Sequence, residues 1–140
     1  EVKSTLAIVD DKSLQDVHIN VTSINGMVLL TGEAPTEAQR TKILEHVRTI
    51  PRVRRTVNEI RIAPPTAYSS RMSDTLITTK VKSKMIGDEK VNAISTKVIT
   101  EYGVVYLMGV TKKASGDYAA ELVRQVDGVQ KVVKLFEYTD

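Results

Sequence analysis

The sequence lacks the residues on which several kinds of function depend. It contains no cysteine, no tryptophan and a single phenylalanine among its 140 residues, which excludes disulfide bonds and thiolate metal sites. Its apolar runs reach only five residues, as in Val104–Met108, whereas a helix that spans a bilayer needs ~20. The net charge is also small, because the sequence has 20 lysine and arginine residues and 17 aspartate and glutamate residues. The remaining composition, 41% hydrophobic and 26% charged, is typical of a folded globular protein.

An internal repeat is the most informative feature that is present. Residues 19–62 align with residues 97–138, so that Gly26 and Gly32 fall on Gly103 and Gly109 at an offset of 77 residues. The offset drops to 76 in the following loop and stays there to the end of the repeat. The repeat predicts a duplicated module. Each copy has roughly 65 to 70 residues, a size at which a lone hydrophobic core is only marginally stable.

Each copy has the pattern of a hairpin, a helix and a third strand. Asn25-Gly26 is a strong signal for a two-residue hairpin turn, and Gly103 occupies the same place in the second copy. Thr36 and Gln39 have the spacing of a capping box, so they predict the start of a helix, which Pro51 ends. The right-handed crossover rule then places the third strand parallel to the second strand of the hairpin.

A further helix is predicted ahead of the second hairpin. Ile77, Val81 and Met85 recur every four residues within Asp74–Ile86 and form one apolar face. The second module is therefore α-β-β-α-β, and the equivalent first helix of the first module is predicted to be truncated, with its end near Glu1–Leu6. These patterns predict an α+β protein in which each domain has a three-stranded mixed sheet packed on helices. The predicted boundaries are residues 1–63 for the first domain, 64–70 for a linker and 71–140 for the second domain.

Motifs at equivalent places in both modules resemble those of the BON-domain family. Each module has a Gly-x-Val-x-Leu-x-Gly hairpin strand, at Gly26–Gly32 and at Gly103–Gly109. A helix and a third strand follow, the latter with Val53–Asn58 in one copy and Gly128–Val132 in the other. The segment Asp74–Lys82 resembles more specifically the outer-membrane lipoproteins that carry two BON domains in tandem.

The resemblance implies a location and a function. Members of this family are periplasmic, bind anionic phospholipid through the second BON domain and help to maintain the outer-membrane barrier. It also implies anchoring to the outer membrane by an N-terminal lipid, which this sequence does not include. The chain departs from the family pattern at Pro51-Arg52, where glycine is expected, and at Lys134, where asparagine is expected. Members of the family also carry tryptophan where this chain has Leu76.

The predicted helix in Asp74–Ile86 has a second face with the composition of a lipid-binding surface. At about 100° per residue, Met72 and Leu76 fall within about 40° of each other, away from the core residues and beside lysines. Apolar side chains can enter the acyl boundary of a membrane while lysine ammonium groups meet lipid phosphates. The alternative is that Met72 and Leu76 pack against the first module across the linker. The predicted lipid-binding residues are Met72, Leu76, Thr79, Lys80, Ser83 and Lys84.

Catalysis and metal binding have little support in the sequence. His18 and His46 are 28 residues apart on different predicted elements, and the sequence has no His-x-x-x-His or Glu-x-x-His pair. No nucleophile elbow or phosphate-binding loop is present. The sequence therefore predicts no catalytic residue, no metal site and no cofactor.

Nucleic acid and protein are the alternatives to lipid as a partner. Arg48, Arg52, Arg54 and Arg55 lie near the predicted helix–strand corner of the first module, where they form either a solvated face or a phosphate contact. One phenylalanine and no tryptophan leave little for stacking on bases, so nucleic acid is not the expected partner. The alternative function is a protein–protein adaptor in outer-membrane maintenance, because the sheet faces away from the helices are too apolar to be left bare.

Overall fold

The computed structural model describes residues 17–63, 68–93 and 95–140. The chain forms two compact units, Glu1–Thr66 and Ala67–Asp140, which are called the first and second modules below. The described elements of the first module are β1 (His18–Ile24), β2 (Met27–Ala34), α1 (Glu37–Arg48) and β3 (Arg55–Ile62). Those of the second are α2 (Tyr68–Ile86), β4 (Lys97–Glu101), β5 (Val104–Thr111), α3 (Lys113–Arg124) and β6 (Lys131–Tyr138).

Each module is built on one mixed sheet of three strands, in the orders β1-β2-β3 and β4-β5-β6. The central strand pairs antiparallel with the strand before it and parallel with the strand after the helix. This arrangement confirms the predicted α+β fold and the predicted direction of the third strand. The helix expected near Glu1–Leu6 lies outside the described residues.

The helices of each module cover one face of its sheet. In the first module Val28 and Leu30 of β2 join Ile43 and Val47 of α1 in a buried cluster. In the second module β5 supplies the equivalent residues, and both α2 and α3 pack on them. The residues of this second cluster on β5 and the helices are Val105, Leu107, Ile77, Val81, Met85, Ala119, Ala120 and Val123.

On the opposite face of each sheet, apolar residues of the central strand are also buried. Met27 and Leu29 in the first module, and Tyr106 and Met108 in the second, are at most 5% exposed. None of them belongs to the clusters beneath the helices. The central strand of each sheet is therefore buried on both of its faces.

Local signals in the sequence account for the turn and the cap of the first module. Asn25 and Gly26 have φ values of 50° and 80°, as the predicted type I′ hairpin turn requires. Thr36 accepts the amide hydrogen of Gln39, and the Gln39 side chain accepts the amide hydrogen of Thr36. The predicted capping box is therefore confirmed, and it satisfies two of the amide groups that a helix start leaves without partners.

One helix begins earlier than the sequence predicted. α2 begins at Tyr68 rather than Asp74, so residues 68–70 of the predicted linker are helical. The prediction was wrong because it relied on the apolar period, which is clear only from Ile77 onward. The earlier helix start is consequential, since it places Met72 inside a continuous helix with Leu76.

Candidate functional site

The helix α2 presents an exposed face that contains all six residues predicted to bind lipid. Met72 is 56% exposed and Leu76 is 55% exposed. Thr79, Lys80, Ser83 and Lys84 are exposed as well. The structure thus leaves Met72 and Leu76 in contact with solvent and brings the predicted residues onto one side of one helix. Their role in lipid binding stays a prediction.

The opposite side of α2 fixes which face is exposed. Ile77, Val81 and Met85 are 8%, 0% and 1% exposed and belong to the core of the second module. Burial of each such side chain stabilises the fold by roughly 1.5–3 kcal/mol. A rotation of α2 that buried Leu76 would expose these three residues, so the core holds the helix in its orientation.

The first turns of α2 are held by a buried carboxylate. Asp74 is 7% exposed, and its two oxygens accept the amide hydrogens of Tyr102 and Gly103 at 2.9 Å each. Both donors lie in the β4–β5 turn, where Tyr102 and Gly103 have positive φ values of 53° and 76°. A second contact joins the hydroxyl groups of Thr78 and Thr100 at 2.7 Å. Sequence reasoning missed the role of Asp74, although its place on the core side of the helix was a signal for it.

The loop after α2 is held in a similar way. Asp88 accepts a hydrogen bond from the Tyr118 hydroxyl at 2.6 Å and another from the Lys90 amide at 2.9 Å. The hydrogen bond from Tyr118, followed by that from Lys90, lowers the pKa of Asp88. The same contact raises the pKa of Tyr118. Because Tyr118 belongs to α3, its hydrogen bond attaches the loop after α2 to the neighbouring helix.

The surface of α2 is cationic as well as partly apolar. The sequence of α2 contains Arg71, Lys80, Lys82 and Lys84 but only one acidic residue, Asp74. Since Asp74 is buried and bonded to backbone amides, its carboxylate does not neutralise the exposed lysines. The exposed lysines therefore keep a positive charge that no acidic residue of α2 neutralises.

One exposed apolar residue of this face was not predicted. Ile86 is 75% exposed and lies about 40° from Met72 around the helix axis. It also lines a cavity of about 240 Å³ at the end of α2, together with Lys82, Met85, Ala93, Thr96 and Val98. The helix thus exposes a third apolar side chain at its last residue, beyond the predicted face.

Within residues 17–63, 68–93 and 95–140, no group of three or more histidine, aspartate or glutamate side chains is placed to hold a metal ion. None of the helices in these ranges is long and apolar enough to cross a membrane.

Comparison with known proteins identifies the family. The profile of the BON domain matches residues 1–64 and again residues 73–140. Over its whole length the chain is 33% identical to the outer membrane lipoprotein DolP of Haemophilus influenzae, of which it covers 73%. It is 38% identical, over 92% of its length, to the 21 kDa hemolysin of Actinobacillus pleuropneumoniae and covers 66% of that protein. It is 28% identical, over 93% of its length, to osmotically-inducible protein Y of Escherichia coli and again covers 66%. The chain therefore belongs to the BON-domain family and is a DolP-like protein with two BON domains in tandem.

Proposed function

We propose that the protein is a non-enzymatic binder of anionic phospholipid, of the phosphatidylglycerol kind, that supports the integrity of the outer membrane from the periplasm. The observation that carries this proposal is the exposed face of α2, where Met72 and Leu76 lie beside Lys80 and Lys84. The similarity to DolP, which is named as an outer membrane lipoprotein, supports the location. Anchoring by an N-terminal lipid belongs to the same proposal.

Binding at this face combines two weak contributions. The side chains of Met72 and Leu76 enter the boundary between headgroups and acyl chains, while Lys80 and Lys84 extend their ammonium groups to lipid phosphates. Each lysine near an anionic surface contributes ~1 kcal/mol. Burial of an exposed leucine adds up to roughly 1.5–3 kcal/mol. The total is offset by the entropy lost on association, so the expected binding is reversible and sensitive to salt.

The way in which α2 is held makes this surface ready for binding. Asp74 joins its first turns to the β4–β5 turn, and Asp88 joins the loop after it to α3. The core residues Ile77, Val81 and Met85 fix its rotation. Because the helix is already ordered, little of the binding free energy is spent on folding it at the membrane.

A vesicle titration of the full chain, followed through backbone amide signals, tests the proposal. Vesicles that contain phosphatidylglycerol should shift the amides of Met72, Leu76, Thr79 and Ser83, and pure phosphatidylcholine vesicles should not. Raising the salt concentration from 0.1 M to 1 M shortens the Debye length from ~10 Å to ~3 Å, so the binding should weaken. Equal shifts with both kinds of vesicle, or shifts confined to the first module, would contradict it.

A further inference from the structure

Sulfur occurs in this chain only in methionine. The sequence has four methionines and no cysteine, and all four methionines lie in the part of the chain that the structure describes. Met27, Met85 and Met108 are 2%, 1% and 0% exposed. Met72, by contrast, is 56% exposed. One sulfur-bearing side chain is therefore open to solvent, and the other three are enclosed.

The three buried methionines belong to the interior of the modules. Met85 is part of the core cluster beneath the helices of the second module. Met27 and Met108 lie on the central strands β2 and β5. A reagent in solution reaches such side chains only when the module opens, and opening a core element costs nearly the whole free energy of unfolding. Their sulfur atoms are thus protected by the fold.

Met72 lies on the face of α2 that is proposed to bind lipid. It precedes Leu76 by one helical turn, and the two residues are about 40° apart around the helix axis. Leu76 is 55% exposed, nearly the same as Met72, and neither residue belongs to the core cluster of the second module. A chemical change at the Met72 side chain therefore alters this face without disturbing the core.

The thioether of methionine is apolar, flexible and open to oxidation. When it reacts with hydrogen peroxide, a lone pair of the sulfur forms a bond to one peroxide oxygen and the O–O bond breaks. The other oxygen leaves as water after taking up the proton of the transferred oxygen. Sulfur loses two electrons and the peroxide gains them. The product is methionine sulfoxide, which is polar where the thioether was apolar.

This change opposes the insertion of Met72 into a membrane. Burial of a polar group without a hydrogen-bond partner costs free energy, so the sulfoxide disfavours entry into the acyl boundary. Met72 and Leu76 are the two apolar members of the predicted lipid-binding face. Oxidation thus removes one of its two apolar contacts and leaves the lysines unchanged, so binding is weakened and not abolished.

We propose that Met72 is a modification site, at which oxidation by a peroxide weakens the binding of α2 to anionic lipid and reduction restores it. This inference rests on the proposed function of the same face. Reduction by a methionine sulfoxide reductase consumes two thiols, which form a disulfide, and releases the oxygen as water. With no cysteine to compete for the oxidant and three methionines buried, Met72 is the sulfur that a peroxide meets first.

Limited treatment of the full chain with hydrogen peroxide tests the selectivity of the site. Peptide mass spectrometry should find one added oxygen at Met72 before any is found at the buried methionines. The reaction at Met72 should be at least about tenfold faster, because the others require opening of the fold. Comparable rates at Met72 and Met85 would overturn the proposal.

Vesicle binding of the singly oxidised protein tests the consequence. Its affinity for vesicles that contain phosphatidylglycerol should fall by about fivefold, which corresponds to losing roughly half of the burial of one methionine side chain. The melting temperature should not change, since Met72 is exposed. Because the sulfoxide forms as two epimers, treatment with both epimer-specific reductases and a dithiol should restore the affinity.

Two variants assign the effect to one sulfur atom. Met72→Leu keeps an apolar side chain but has no sulfur there, so its own affinity should be the same before and after peroxide. Met85→Leu, the matched control on the buried side of the same helix, retains Met72 and should lose about fivefold, as the wild type does. An equal loss in Met72→Leu would overturn the proposal, because the sensitive residue would then lie elsewhere.

The outcomes also separate this inference from the proposed function. If the unoxidised protein does not bind phosphatidylglycerol vesicles, the proposed function fails and the inference fails with it. If it binds, and the protein with Met72 sulfoxide binds equally well, only the inference is overturned. A lower melting temperature after oxidation of Met72 would overturn it too, because the weaker binding would then arise from the fold.

Discussion

The two modules share one backbone plan and differ in the surfaces that they expose. Both have a central strand paired antiparallel on one side and parallel on the other, with equivalent buried residues such as Leu30 and Leu107. The second module exposes Met72 and Leu76 beside lysines. The first exposes four arginines at and after the end of α1, which are Arg48, Arg52, Arg54 and Arg55. The fold is therefore a scaffold, and the exposed residues of each module decide what it can bind.

The same comparison shows where each module stores strain. Each hairpin turn has two positive φ values, but the first uses Asn25 and the second Tyr102. Asparagine tolerates the left-handed region better than tyrosine does. In the second turn, the amides of Tyr102 and Gly103 donate hydrogen bonds to the Asp74 carboxylate. A less favourable turn residue is thus offset by a contact from α2, which links the turn to the proposed lipid face.

The largest expected effect concerns the repeated glycines near the ends of the central strands. A Cβ on Gly32 would overlap the carbonyl oxygen of His18, and one on Gly109 would lie 2.7 Å from that of Ser95. Both glycines have positive φ, at 115° and 151°. We expect Gly32→Ala to lower the free energy of unfolding by about 3 kcal/mol and Gly109→Ala by about 2 kcal/mol. Urea unfolding, followed through amide signals of β2 and β5, measures each loss. A greater loss of stability in Gly109→Ala than in Gly32→Ala would contradict this expectation, because the closer approach of Cβ to oxygen is at Gly32.

A somewhat smaller effect is expected at the contact that only α2 provides. Asp74→Ala leaves the amides of Tyr102 and Gly103 without their acceptor, which should cost about 2 kcal/mol. Asp74→Asn retains one acceptor oxygen and should cost less. Thermal unfolding of both variants checks the order, and hydrogen exchange at the two amides should increase in each. If Asp74→Ala were as stable as the wild type, the hydrogen bonds of Asp74 would not contribute to the stability of the second module.

Substitutions at Arg52 and Gly128, which are equivalent and both have positive φ, test whether Arg52 is strained. Arg52→Gly should stabilise the first module by about 1 kcal/mol because glycine adopts positive φ without strain. Gly128→Ala should destabilise the second by about 1 kcal/mol, since the new Cβ would also lie 3.2 Å from Ile77. Chemical denaturation of the two variants provides the comparison. A loss of stability in Arg52→Gly would contradict the assignment of strain to Arg52.

The smallest expected effect lies at the end of α2. Tyr118→Phe removes the hydrogen bond that lowers the pKa of Asp88, so that pKa should rise toward the ordinary value for aspartate. A group with a lowered pKa stabilises the fold above its ordinary pKa, and this contribution is lost as the pH falls below about 4. The raised pKa of Tyr118 has the opposite consequence: its contribution is present at neutral pH and is lost in alkali. Carboxyl chemical shifts across an acid titration measure Asp88 directly, and an unchanged midpoint in the variant would exclude the Tyr118 contact as its cause.

Much of the fold could be predicted because its determinants are local. The capping box at Thr36 and Gln39, the turn at Asn25-Gly26 and the spacing of Ile77, Val81 and Met85 each act within a few residues. Because the two modules are repeats in sequence, the topology predicted for one module also applied to the other. The start of α2 at Tyr68 was missed because no apolar period precedes Ile77.

The parts of the site that sequence reasoning missed depend on contacts between distant residues. The bonds of Asp74 to Tyr102 and Gly103 cross 28 and 29 positions. The helical pattern places Asp74 on the core side of α2 but does not show which amides it binds. Ile86 was omitted because the predicted face ended at Lys84, although the helix angle alone would have included it. The strain at Arg52 is a property of the backbone that residue type does not show.

The central claim, that the exposed face of α2 binds anionic lipid, is tested most directly at Leu76. Leu76→Asp should reduce binding to phosphatidylglycerol vesicles by at least about tenfold, because an aspartate enters the membrane boundary poorly and is repelled by lipid phosphate. The free energy of unfolding should stay within about 0.5 kcal/mol of wild type, since the side chain is exposed. Leu76→Trp, the matched control, should bind more tightly because indole suits the membrane interface. Unchanged vesicle binding in Leu76→Asp, with or without a loss of stability, would contradict the account.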